Sequence, residues 1–233
     1  MMLMNSWMGE HRNSFSNVYQ VIREKRGMNY GDYSYIEAYP AGYATQVPPV
    51  NVSRRSQIFE VWIRPISMTS EGTLHDRTLF AFRAALRELA KLVEGGMTAE
   101  DFDITRRFLK NYTVNFAATV SRRLAYRMDD VFYGIPDPGF ISHIKSGLET
   151  LSLDQVNTAI KKHLQAKNMY VVFITKDATG IKKKILEGTP TSINYTAQKP
   201  KEILEEDEVI ASFPIPVKPD DIQIIDINEV FEE

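Results

Sequence analysis

The chain has no cysteine among its 233 residues. That absence excludes disulfide scaffolds, thiol nucleophiles and cysteine-ligated zinc sites, but it leaves the cellular compartment open. Long apolar runs are also absent, since none approaches the ~20 residues that a membrane-spanning helix needs. The apolar start, residues 1–8, lacks the basic segment of a signal peptide. We therefore predict no membrane span.

An excess of charge of either sign is missing too. The chain carries 28 basic and 30 acidic residues, for a net charge of -2. Such a balance gives no overall field to attract nucleic acid or an anionic membrane, so we expect no nucleic-acid partner. An apolar content of 43% and a charged content of 25% are typical of a globular protein. The length is sufficient to bury a substantial core.

The sequence also lacks the motifs of common active sites. There is no glycine-rich phosphate loop, no G-x-S-x-G elbow and no Ser-His-Asp order. The nearest metal pattern is Trp7-Met-Gly-Glu-His11, which imitates H-x-x-E-H with tryptophan in place of the first ligand. We expect Glu10 and His11 to form a surface pair, which makes an independent zinc enzyme the least favoured interpretation.

Hydrophobic periodicity predicts an α+β fold. Apolar residues at steps of three and four predict helices over 14–26, 79–95, 98–116, 121–132, 152–164 and 181–186. Alternation predicts strands over 30–39 and 57–64, and a continuous apolar run predicts a central strand over 169–174. We expect the helices to form a layer on one face of a mainly antiparallel sheet. In the helix over 121–132, Leu124, Met128 and Val131 are expected to face inward.

Composition divides the chain into two parts. Residues 1–189 have the pattern of a packed domain, whereas 190–233 are rich in proline and acidic residues and are predicted to form an extended tail. Short edge strands are expected at 209–213 and 222–227. Three strands make a thin sheet for so many helices, which suggests that part of the domain lies upstream.

The segment Ile22-Arg-Glu-Lys-Arg-Gly-Met-Asn-Tyr30 is the strongest functional candidate. A helix is predicted to end at Gly27, and a strand begins at Tyr30, so Arg23 and Tyr30 flank one turn. A guanidinium and a phenol so placed can hold a peptide carbonyl or a developing oxyanion. On spacing alone, an ion pair for Arg23 and a purely structural Tyr30 explain the pattern at least as well.

Two segments resemble the insulinase, pitrilysin and mitochondrial-processing-peptidase family. The segment Asn13–Ser34 is similar to its L-R-E-x-x-G-L-x-Y region. The hairpin formed by Phe80–Leu89, Glu94–Asp103 and Arg106–Leu109 resembles its G-[LM]-T-x-E-E-[FL] phrase between two long helices. The resemblance spans about residues 5–175. It implies the C-terminal, non-catalytic half of an insulinase-like zinc metalloprotease, lacking its first strand and first helix.

In that family two homologous halves close as a clamshell, and one half holds zinc through H-x-x-E-H. By the resemblance, Arg23 and Tyr30 would orient the peptide backbone near that zinc, and this chain would bind no zinc itself. The implied partners are a zinc-bearing N-terminal half, on the same polypeptide or another subunit, and a peptide substrate. Long bacterial relatives suggest a periplasmic location.

A second interpretation is a protein of the same ancestry that has no protease partner. The chain would then be a scaffold or assembly subunit, and an H-x-x-E-H motif in the upstream or neighbouring gene would favour the protease instead. In either case an unpaired sheet edge and an uncovered apolar face lead us to expect association, with a second copy or with the missing half.

Overall fold

The computed structural model describes residues 1–10, 13–36, 58–65 and 74–230. The elements are α1 (Met2–Gly9), a π-helix (Tyr19–Glu24), β1 (Asn29–Tyr35), β2 (Glu60–Pro65), α2 (Leu74–Gly95), α3 (Ala99–Tyr112), α4 (Val120–Phe132), α5 (Phe140–Thr150), α6 (Leu153–His163), α7 (Ala178–Glu187) and α8 (Lys201–Ala211). The predicted α+β class is therefore correct at the coarse level, with helix predominating. No helix in these ranges is long and apolar enough to span a membrane.

The sheet of the described residues consists of β1 and β2 alone. They pair antiparallel, with Tyr35 opposite Glu60 and Tyr33 opposite Trp62, and the register shifts between Asn29 and Asp32. Both strands lie within the ranges predicted for them to within one residue, because their alternation is a local signal. Residues 37–39 and 57 of the predicted ranges lie outside the described residues. The larger antiparallel sheet is not found in this part of the chain.

The hydrophobic core joins α1, the π-helix, α2, α3, α6 and α8. Fully buried side chains from these elements include Met4, Met8, Ile22, Phe80, Leu109, Ile160 and Ile210. Helix α1 approaches β1 very closely, since a Cβ on Gly9 would lie 2.5 Å from the backbone nitrogen of Ser34. The apolar start of the chain is therefore an interior helix, and it supports the strand that carries Tyr30.

The link between α2 and α3 lies where the sequence predicts it, whereas α2 begins five residues earlier and α3 ends four residues earlier than predicted. Gly96 takes a positive φ of 74° after α2, and the Thr98 side chain accepts the backbone N–H of Asp101 to cap α3. Asn157 of α6 holds the link between them by accepting the Met97 N–H at 2.8 Å and donating to the Met97 carbonyl at 3.1 Å.

Helix α4 faces the opposite way from the prediction. Leu124, Met128 and Val131 are exposed, whereas Asp129 and Asp130 are buried. The reason is a cap, because Asp130 Oδ1 accepts the backbone N–H of Phe140 at 2.9 Å where α5 begins. Because the Asp130 carboxylate makes that hydrogen bond, the acidic side of α4 faces inward and its apolar side faces solvent.

The predicted central strand at 169–174 is wrong. The segment is extended but belongs to no sheet of the described residues, and Tyr170, Val172 and Ile174 are exposed. The ring of Phe173 meets Phe82 of α2 edge-on, with centroids 5.3 Å apart. An apolar run therefore identified an extended segment but not its burial, since burial depends on a neighbouring strand.

The extended tail predicted for 190–233 is also wrong in part. Helix α8 occupies Lys201–Ala211, packs against α2 and buries Ile210 in the core, and neither predicted edge strand is present at 209–213 or 222–227. Five prolines lie in residues 190–233, but none lies inside 201–211. The uninterrupted stretch there contains helix-forming Glu, Lys, Leu and Ile, which favours the helix α8.

Candidate functional site

The predicted pair lies where the π-helix passes into β1. Arg23 is the penultimate residue of the π-helix, and Tyr30 is the second residue of β1. Gly27 makes the turn with a φ of 62°, and its N–H donates to the Arg23 carbonyl at 2.7 Å. Because the π-helix also packs on β1, the turn brings these two chain positions onto neighbouring elements.

The helix that carries Arg23 is a π-helix and not the α-helix that periodicity predicts. The N–H of Lys25 donates to the carbonyl of Gln20, five residues earlier, at 3.1 Å. Segments of this kind are rare and occur frequently at functional sites. The apolar spacing carried no signal for it, since the residues fit an ordinary helix equally well.

Arg23 is half-buried, and its guanidinium lies over the ring of Tyr19 with 4.9 Å between the guanidinium carbon and the ring centroid. A hydrogen bond to Glu24 raises the pKa of Tyr19, so the phenol stays neutral. A cation over a ring face is attracted by the ring, so this contact supports the position of the guanidinium. A guanidinium is a group that suits a carbonyl or carboxylate oxygen.

Asp32 is a member of this site that the sequence patterns did not single out. The residue is 1% exposed, and its Oδ1 accepts from Asn29 Nδ2. Burial raises the pKa of Asp32 to about 7, while the Asn29 hydrogen bond and the charge of Arg23 oppose that rise. An aspartate inside a strand was the available signal, since strands are depleted in aspartate.

Arg26 fixes the end of the π-helix to α8. Its Nε donates to Asp207 Oδ1 at 2.7 Å, one terminal nitrogen donates to Glu206 Oε2 at 2.8 Å, and the other donates to the Val21 carbonyl at 2.7 Å. Glu206 also accepts from Arg87 of α2 at 2.9 Å. The sequence placed Arg26 in the last helical turn but did not indicate these long-range partners.

The alternative zinc pattern gains no support. Glu10 is buried and not at the surface as predicted, and His11 lies outside the described residues. Within the described ranges, no group of three or more His, Asp or Glu side chains is arranged to hold a metal ion.

The chain matches no protein-family model, and no curated protein matches it significantly. The resemblance of the segments around Arg23 and around Thr98 to the insulinase family therefore stays a prediction from the sequence.

Proposed function

We propose that this chain is the non-catalytic, substrate-binding portion of a two-half zinc metalloendopeptidase of the insulinase type. Arg23 and Tyr30 orient the peptide backbone beside a zinc ion that the other half holds. The observation that carries the proposal is the placement of Arg23 on a π-helix that packs against β1, the strand of Tyr30.

The chemistry divides sensibly between two halves. A bound zinc ion polarises the scissile carbonyl, and a guanidinium and a phenol from the facing half position the peptide and support the oxyanion. Within this chain, the Gly27 turn and the ion pairs of Arg26 fix the backbone that carries Arg23 and Tyr30. A preorganised donor is effective because it does not have to reorient as charge develops.

The finer fold assignment belongs to the same proposal. The two segments that resemble the family fall on the π-helix–β1 turn and on the α2–α3 link. We infer a partial insulinase-type half-domain whose partner is a zinc-bearing half on the same polypeptide or on another subunit.

The test is peptide turnover by the two halves together. Arg23→Ala and Tyr30→Phe should each lower kcat/KM by about 100-fold, the usual effect of removing one oxyanion donor. Arg107→Ala is the matched control, because Arg107 is exposed on α3 and donates only to its own helix, at the Asp103 carbonyl. Unchanged turnover in both site variants would overturn the proposed roles.

One observation favours the scaffold alternative. The exposed face of α4 carries Val120, Leu124, Met128 and Val131 in a single stripe, and such patches mark interaction surfaces. A stable complex with a partner that carries no H-x-x-E-H motif, and that hydrolyses no peptide, would select this second function.

A further inference from the structure

Asp32 lies at an irregular point of β1. The register shifts between Asn29 and Asp32, because three steps along β1 match two steps along β2 there. The two side chains are joined directly, since Asn29 Nδ2 donates to Asp32 Oδ1, and both residues are buried. The irregular register therefore accompanies a carboxyl group that is enclosed in the fold two residues after Tyr30.

The fold stabilises this carboxyl group poorly as an anion. Asn29 supplies one hydrogen bond to Oδ1, and Asp32 Oδ2 accepts none from the described residues. Burial disfavours a carboxylate that has few hydrogen-bond donors. Asp32 therefore gains and loses its proton close to neutral pH, with a pKa of about 7.

Arg23 is the cation that acts on this carboxyl group. The π-helix that carries Arg23 packs on β1, and the positive charge of Arg23 favours the ionised form of Asp32. Such an interaction is reciprocal, so ionised Asp32 attracts the Arg23 guanidinium by the same free energy. The charge that Arg23 can offer to another oxygen therefore depends on whether Asp32 carries a proton.

Among the described residues, Arg23 is the charged side chain that shifts the pKa of Asp32. The residue opposite Asp32 on β2 is Ile63, and alternation turns the charged residues of that strand to its other face. Helix α1, which also packs on β1, has no ionisable side chain. The other charged groups on or beside these neighbouring elements are Glu60 and Arg64 on β2, Glu10 after α1, and Glu24 next to Arg23.

We propose that Asp32 is a positioning residue for Arg23, which holds the guanidinium when it is ionised and releases it towards a substrate oxygen when it is protonated. This regulation rests on the proposed function, because it assumes that Arg23 binds the peptide. Protonated Asp32 leaves the charge of Arg23 undivided, so the site binds a carbonyl or carboxylate oxygen more tightly below about pH 7 than above it.

The coupling of the two side chains is measurable on this chain alone. The carboxyl carbon-13 signal of Asp32, assigned by its loss in Asp32→Asn, should titrate with a midpoint near pH 7. Arg23→Gln should raise that midpoint by about 1 pH unit, the lower end of the effect of a nearby opposite charge. Arg107→Gln is the control, because Arg107 is exposed on α3 and donates to the Asp103 carbonyl. Equal midpoints in the wild-type chain and Arg23→Gln would overturn the proposal.

A second measurement avoids any change at Arg23. The nitrogen-15 signal of Arg23 Nε should shift over the same pH range as the Asp32 carboxyl signal in the wild-type chain. In Asp32→Asn the Arg23 signal should stay constant, because the variant cannot ionise at that position. An Arg23 signal that ignores the titration of Asp32, or that moves equally in Asp32→Asn, would overturn the proposal.

Peptide turnover by the two halves together tests the regulation. The ratio of kcat/KM in Asp32→Asn to that in the wild type should rise about 10-fold between about pH 5.5 and 8.5, chiefly through KM, because a coupling of one pH unit is a tenfold change in binding. A ratio that is constant with pH would overturn the regulation and leave the proposed roles of Arg23 and Tyr30 intact. If Arg23→Ala and Tyr30→Phe both leave turnover unchanged, the proposed function fails, and the two titrations still decide whether Asp32 positions Arg23.

Discussion

Arg26 and Asp207 form a buried ion pair in which Nε and Oδ1 are 2.7 Å apart, although 181 residues separate them in sequence. The pair joins the end of the π-helix to α8, the helix formed in a region that composition marks as a tail. Arg23 lies three residues before Arg26. The position of Arg23 therefore depends on the C-terminal region as well as on the Gly27 turn.

Removing the Arg26 side chain should destabilise the fold strongly. Arg26→Ala leaves the Asp207 and Glu206 carboxylates without their buried cation, which typically costs about 3–5 kcal/mol. Urea denaturation measures the change in the free energy of unfolding. Lys201→Ala removes only an exposed pair with Glu205 and should cost less than about 0.5 kcal/mol. A cost below about 1 kcal/mol for Arg26→Ala would contradict the structure.

Asp32 should make stability fall as pH rises. Its pKa is raised from 3.8 to about 7 in the folded chain, so the folded state binds the additional proton between these values. That contribution is complete below about pH 3.8 and lost as pH approaches 7. Asp32→Asn should therefore be neutral at pH 4 and stabilise by roughly 2–4 kcal/mol at pH 8. Thermal unfolding across this range tests it, with the exposed Asp103→Asn as control.

Glu206 should make stability fall as the pH falls through the acidic range, the opposite of the effect of Asp32. Burial alone would raise its pKa, but hydrogen bonds from Arg26 and Arg87 lower it from 4.5 to about 2. Its contribution is present above about pH 4.5 and is lost as pH falls towards 2. Glu206→Gln should destabilise by about 1–2 kcal/mol at pH 7 and flatten the acid limb of the stability profile. The neighbouring Glu205→Gln should alter neither, because its pair with Lys201 is exposed.

Gly9 should tolerate no side chain. A Cβ there would lie 2.5 Å from the Ser34 backbone nitrogen, so Gly9→Ala must push α1 away from β1 and should cost about 1–3 kcal/mol. Gly147→Ala is the matched control, since Gly147 also lies in a helix but a Cβ on it would meet no atom within 4 Å. The control should be neutral or stabilise by up to about 1 kcal/mol. Equal effects in the two variants would refute the close approach.

Local signals predicted the parts of the fold that depend on neighbouring residues in sequence. The sequence predicted the alternating strand that carries Tyr33 and Tyr35 and the helix starts at Thr98 and Ser152, and in the structure these two side chains cap their helices. Each is complete within a few residues, so no distant partner is needed to decide it.

The features that were predicted wrongly depend on contacts with other elements of the fold. The orientation of α4 follows from the cap that Asp130 provides to another helix, and the exposure of Val172 follows from the lack of a neighbouring strand among the described residues. The raised pKa of Asp32 requires burial by the tertiary fold, which no periodicity reveals. Arg23 and Tyr30 were placed on one turn correctly, but the π-helix beneath Arg23 was not predicted.

The Asp130 carboxylate takes part in two features of the structure, the start of α5 and the orientation of α4. It sets where α5 starts, and it also sets the rotation of α4 about its own axis, with the apolar stripe towards solvent. The stripe is thus presented outward by a polar contact on the far side of the helix. The direction in which this surface is offered to other molecules is decided by a residue that those molecules would never touch.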